Sequence, residues 1–175
     1  MPLPLVRFAV LACFFAAPPF AAASECPAPG KLPAVCMAIS NAQKDTSGQY
    51  EFHYQKLVYE AACVEPSDSE EVRNAKVRRM WRANEDQLVC ESLRFDVQQG
   101  NILKYAASVR FEDFLFDASM IWKVDLNRID PSDGRTVLDY VQKEIDRNKG
   151  LSIESKLRSY YDMLRSSGAK HRNEL

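Results

Sequence analysis

A chain of 175 residues with 23 Lys plus Arg against 24 Asp plus Glu carries a formal net charge of −1, so no overall field draws it to nucleic acid or to an acidic membrane surface. With 46% hydrophobic and 27% charged residues, the composition is that of a folded globular protein rather than a disordered one. The only histidines are His53 and His171, and the chain holds no Gly-x-Ser-x-Gly turn, Gly-rich phosphate loop or His-Glu-x-x-His. A nucleophile with its base, or an activated metal, has little to be built from, and the chain reads as non-enzymatic, without metal or cofactor.

In chain order, residues 1–23 read as a secretory signal: Arg7 supplies the positive charge, Phe8 to Phe20 is mostly apolar, and Ala21-Ala22-Ala23 offers small residues for cleavage. Pro18-Pro19 interrupts the run, which falls short of the roughly 20 apolar residues that cross a bilayer. Nothing later could span a membrane, so no integral segment is expected once the signal is removed. The expected location is the periplasm or the exterior. A rival processing reading takes Val10-Leu-Ala-Cys13 as a lipoprotein site, which would leave the chain attached at Cys13.

Cleavage near Ser24 leaves roughly 150 residues, enough for one domain that buries about 70% of the surface of its unfolded chain. It also leaves four cysteines, Cys26, Cys36, Cys63 and Cys90, an even number that favours disulfides in an exported chain. Pairing Cys26 with Cys36 and Cys63 with Cys90 closes short loops between neighbouring segments; spacing leaves the other pairings open. None lies in Cys-x-x-Cys, which argues against zinc or thiol-redox chemistry.

Ser24 to Lys31 is Pro-rich, and Pro33 suits the first turn of a helix that turns Val35, Cys36 and Ile39 inward. Gln49 to Val64 reads as one long amphipathic helix with Phe52, Leu57, Tyr59 and Cys63 at helical spacing and Tyr50, Tyr54 and Val58 widening the face. After the Glu65-Pro66-Ser67-Asp68 turn, Asp68 or Ser69 caps a helix that carries Glu70 and Glu71 in its first turn and runs to about Ala83. Its apolar residues are Val72, Ala75, Met80 and Trp81; Arg73, Lys76, Arg78, Arg79 and Arg82 make the other face basic. Such a run is a solvated face or a partner-binding patch.

From Asn84 onward the chain repeats. Asn101-Ile-Leu-Lys-Tyr-Ala106 and Thr136-Val-Leu-Asp-Tyr-Val141 superimpose at an offset of 35 residues, a period typical of helical solenoids. Asp133-Gly134 permits a positive φ in a tight turn, Thr136 is placed to cap a helix, and Leu138 and Val141 face the stack. Upstream, Gln99-Gly100, Asn101, Leu103 and Ala106 take the same parts. A second helix follows from about Phe111 to Ile121, with Phe111, Phe114, Leu115, Ala118 and Ile121 apolar.

These motifs resemble ankyrin repeats. Val124-Asp-Leu-Asn127 followed by Asp133-Gly134-Arg-Thr136-Val-Leu138-Asp-Tyr140 is similar to the junction between two such units, and Met163-Leu164-Arg-Ser-Ser-Gly168-Ala169-Lys170 to the end of the last. The resemblance covers about residues 94–170 and reaches back to 65 in degenerate form. It departs in lacking Pro after Asn101 and Thr136, in placing Lys104 or Asp139 at the His position, and in the extra residues between Lys143 and Ser155. The expected architecture is all-α: a helical cap over 24–93, which includes at most a degenerate repeat, and a short ankyrin-like stack over 94–175, stabilised by disulfides.

The resemblance implies a partner protein on the hairpin tips and first-helix surfaces, which here means Phe95, Gln98, Gln99, Lys104, Arg128, Asp130, Asp133, Arg135 and Asp139. Phe95, near a predicted tip, and Phe116, off the apolar stripe of its helix, are expected as exposed anchors; the other aromatics are read as core, the Asp125, Asp130 and Asp133 group as turn and cap residues, and His171 as part of a frayed tail. Two functions fit. One is an immunity protein that neutralises a toxin delivered into the periplasm. The other is an envelope scaffold or assembly factor that binds several proteins.

Overall fold

The computed structural model describes residues 54–86, 88–91 and 99–175. The expected signal, the Pro-rich lead-in, the helix opening at Pro33, Cys26, Cys36, Tyr50, Phe52, Phe95 and Gln98 lie outside them. The described part is mostly helical, in line with the expected class. Among the described residues no helix is long and apolar enough to cross a membrane.

The first helix, α1, spans Tyr54–Ala61 and buries Tyr54, Val58 and Ala61, the i, i+4, i+7 stripe of an amphipathic helix. It ends sooner than its sequence predicts. Cys63 takes a left-handed φ of 53°, and the Val64 N–H closes onto the Tyr59 carbonyl at 2.9 Å, so Cys63 lies beyond the helix rather than on its face. The second helix, α2, spans Glu70–Ala83, with the Ser69 hydroxyl accepting from the Val72 N–H at 3.3 Å. Val77, Met80 and Trp81 point inward. Val72, expected with them, is 42% exposed, because it lies most of a half-turn away from that stripe.

A short antiparallel ladder follows, β1 Val89–Glu91 against β2 Gln99–Asn101, with Cys90 opposite Gly100. Gln99-Gly100 is therefore a strand and not the tight turn its composition predicts. Pairing gives its backbone groups hydrogen-bond partners, and the Ile102 N–H continues the ladder onto the Leu88 carbonyl at 2.9 Å. Cys63 and Cys90 are each disulfide-bonded.

Two helical pairs complete the chain. The first joins α3, Ile102–Ser108, to α4, Glu112–Phe116, which runs on as a π-helical turn over Asp117–Ile121. The second joins α5, Val137–Arg147, to α6, Glu154–Ser166. Helix α3 packs on α5, and α4 on α6. Every residue of α3 from Ile102 to Ala107 is buried, as befits a helix with neighbours on several sides. The extra residues predicted after Lys143 extend α5 to Arg147 and form the turn before α6.

Helix ends recur in one form. Arg110 and Gly168 have φ of 63° and 93°, and the Phe111 and Ala169 N–H groups reach back to Ala106 and Leu164 at 2.9 and 3.0 Å, the left-handed closure that satisfies terminal carbonyls. Lys123 also has a left-handed φ, of 51°, after the π turn.

The buried side chains of all these elements form one contiguous cluster. At its centre, Tyr54 meets Phe111 and Phe114 with ring centroids 5.1 and 5.8 Å apart, and Phe114 meets Trp122 at 5.9 Å. Aromatic pairs of this kind add about 0.5–1.5 kcal/mol each beyond their burial, and they fasten α1 to the first helical pair. The Tyr54 hydroxyl donates to Asp117 Oδ2 at 2.6 Å; burial and this carboxylate push the phenol far above its ordinary range.

Candidate partner-binding surface

Asn101 and Thr136 open the first helix of each pair, and both cap it as the repeat predicts. Asn101 Oδ1 accepts from the Leu103 and Lys104 N–H groups. Thr136 forms a full capping box with Asp139, a motif that satisfies two free N–H groups at once. Between the pairs the chain makes a narrow loop: the Asp130 N–H meets the Arg135 carbonyl at 2.9 Å, and the Gly134 N–H meets the Asp130 carbonyl at 2.7 Å.

This loop is held from beneath by Lys104. Its Nζ lies 2.8 Å from Asp130 Oδ2 and 2.7 Å from Asp133 Oδ1, with Lys104 1% and Asp130 2% exposed. Asp130 Oδ2 also accepts from the Asn101 N–H at 2.7 Å, and its Oδ1 from the Ser132 N–H. Burial works against the charged carboxylate, but the Lys104, Ser132 and Asn101 hydrogen bonds outweigh it and hold Asp130 below its usual range. Lys104 and Asp130 were expected on the partner-facing surface; burial corrects both to interior positions. An ammonium group without a counter-charge there would cost several kcal/mol, and the two aspartates supply that charge.

The other expected site residues divide. Arg128 spans Glu85, at 3.0 Å from Oε2, and Asp86, and with the Asp130–Ser132 turn they border a cleft of about 320 Å³. Arg135 is 39% exposed beside Asp133. Asp139 is engaged internally: besides the cap, it accepts from His171 Nδ1 at 2.7 Å and from the Arg172 N–H at 3.1 Å. Burial opposes its charge, and the Thr136, His171 and Arg172 donors prevail to keep its carboxyl below the ordinary range. Of Gln99 only the backbone, in β2, is described.

The tail is not frayed. His171 Nε2 lies 2.9 Å from the Tyr161 hydroxyl, and Arg172–Glu174 forms a 3-10 turn. Arg165 grips the Glu174 carboxylate at 2.6 and 2.5 Å, which together with the His171 N–H holds that carboxyl down at about 2. Asn127 donates to the Gly168 carbonyl and accepts from the Lys170 N–H at 2.8 Å, so the junction and the terminus lock together. The Asp139, His171 and Tyr161 line fastens the chain end across α5 and α6.

What remains open to solvent is the rim of the loop: Ile129 is 41% exposed, and Pro131 and Ser132 are exposed beside it. Sequence reasoning missed Ile129, Glu85, Asp86 and Tyr161. An isoleucine between Arg128 and Asp130 in a turn was the available sign for the first; the others meet their partners across more than the local sequence. Phe116 is 46% exposed, as its place off the stripe predicts, and Met120, one turn on, is 42% exposed. Comparison with protein-family models, with curated proteins and with solved structures finds no match.

Proposed function

We propose that this is an exported protein-binding module, a short ankyrin-like stack under a disulfide-tied helical cap, whose contact surface is the rim of the 128–135 loop. The carrying observation is that loop: Ile129, Pro131, Ser132 and Arg135 face solvent on a backbone pinned by a buried Lys104 between two aspartates. Holding a contact surface rigid in advance reduces the ordering cost of association, and the rim offers one exposed aliphatic side chain, Ile129, beside Pro131 and Ser132. The stacking of α3 on α5 and α4 on α6, with caps 35 residues apart, supports the repeat reading. The leader-like first 23 residues support export.

Within this reading the chain neutralises a toxin delivered into the periplasm, as an immunity protein does. The envelope scaffold is the second reading, favoured by a separate basic face on α2 where Arg78, Arg79 and Arg82 make no ion pair among the described residues. The test is a pull-down from periplasmic extract with the oxidised mature chain, wild type against Ile129→Asp and Arg128→Glu. One stoichiometric partner lost in Ile129→Asp supports the immunity reading. Several weak partners replace it with the scaffold, and a partner indifferent to both variants removes the loop from the contact surface.

A further inference from the structure

The exposed side of α2 carries charges that have no carboxylate partner among the described residues. Lys76 is held by Asp68 at 2.6 Å, but among the described residues Arg78, Arg79, Arg82 and Lys123 make no ion pair. Arg78 donates to the Trp122 carbonyl at 3.1 Å, which sets Lys123 beside the helix. Arg79 and Arg82 are exposed and stand three residues apart, so they are neighbours on one helix face. Val72, 42% exposed, lies two turns before Arg79 on the same row.

Lys123 is informative for its backbone. It holds a φ of 51° at the end of a helical segment, where the last pair uses Gly168 at 93°. A lysine in this conformation is strained relative to glycine, so glycine at 123 would remove the charge and relieve the strain together.

The cationic window is bounded. Glu70 and Glu71 open α2, and Glu85 and Asp86 follow it, sharing the single guanidinium of Arg128. From Glu71 to Ala83 the helix covers about 18 Å at 1.5 Å per residue, and Glu85 follows two residues on. A membrane surface or nucleic acid is anionic over a longer span and would meet these carboxylates on both sides. A protein surface is not bound to a uniform charge.

We propose that the Arg78, Arg79, Arg82 and Lys123 face of α2 is a second docking surface, and that its occupant is a protein patch of complementary pattern, carboxylates at the centre and basic groups at the ends. This rests on the reading of the chain as a protein-binding module but not on the 128–135 loop.

The test titrates the oxidised mature chain, labelled for amide NMR, at low salt with two peptides: four glutamates with a lysine at each end, and hexaglutamate. Six extended residues span about 20 Å, the length of the window. Phosphatidylglycerol vesicles and duplex DNA are the polyanion arms. Expected are shifts at Arg79, Arg82 and Lys123, and about threefold tighter binding of the lysine-ended peptide despite its lower charge. Arg79→Glu with Arg82→Glu weakens that peptide about tenfold. Lys123→Gly weakens it while raising the thermal midpoint, a combination that a damaged fold does not give. Tighter binding of hexaglutamate, of vesicles or of DNA overturns the proposal, as do shifts confined to residues away from α2. Because Ile129→Asp reads the loop and the peptides read α2, either surface can fail without the other.

Discussion

Lys104 shows how one residue changes meaning between sequence and structure. In the repeat it stands where a partner-facing side chain is expected, yet it sits 1% exposed between Asp130 and Asp133, with its Nζ also 5.8 Å from the Tyr140 ring. Lys104→Met removes the cation and leaves Asp130 charged in the interior, and should cost about 3–5 kcal/mol in urea unfolding. Adding Asp130→Asn should recover part of that loss, since the pair is coupled; strictly additive losses would show that the two do not act together. The same aspartate sets an acid limit. Asp130 and Asp139 have folded pKa values below their ordinary 3.8, so the stability they contribute is present above that value and is lost as pH falls below it through the depressed folded values. Asp130→Asn should therefore narrow the difference in stability between about pH 6 and pH 3, and an unchanged acid slope would contradict its role.

At the scale of elements, the terminal turn acts as a latch on the last helical pair. Arg172 donates to the Gly134 carbonyl at 3.0 Å, and a Cβ on Gly134, whose φ is 69°, would stand 2.8 Å from Arg172 Nη1. Gly150 has a φ of 82° but open space around it. Alanine at either position meets the left-handed strain of about 1–2 kcal/mol, and only at Gly134 does it also push the latch aside. Gly134→Ala should thus lower the thermal midpoint more than Gly150→Ala. Removing residues 171–175 deletes the His171 contacts to Asp139 and Tyr161 and the Glu174 pair with Arg165. A loss of about 1–2 kcal/mol, or roughly 2–8 °C, is expected in calorimetry; an unchanged midpoint would return the tail to the frayed state its sequence predicts. The caps were legible because Asn and Thr act on their own next turn. The latch was not, since Asp139 and His171 are 32 residues apart and carry no local signal.

At the scale of the whole molecule, Cys63 and Cys90 are both disulfide-bonded. Cys63 lies beside the first half of α2, where its carbonyl accepts from Lys76 Nζ at 3.0 Å, whereas Cys90 follows the other end of that helix on β1. Non-reducing peptide mapping is expected to recover both in disulfide-linked peptides; a Cys63–Cys90 peptide would support the sequence-based pairing, and peptides joining them to Cys26 or Cys36 would replace it. Reduction should lower stability by about 3 kcal/mol, roughly 6–12 °C at this chain length, and an unchanged midpoint would remove the cross-links from the account of stability.

Period, composition and turn chemistry by themselves determined the helical class, the start of α2, the caps at Asn101 and Thr136, the left-handed Gly134 and most of the buried stripe of α4, because each depends on contacts within a few residues. Only the tertiary structure decided that Lys104 and Asp130 are interior, that Gln99-Gly100 pairs as a strand, that Val72 faces solvent, and that the terminus is fastened. Each of these depends on which distant group stands opposite, and burial or pairing with that group changes the free energy of a side chain by more than its local preference does.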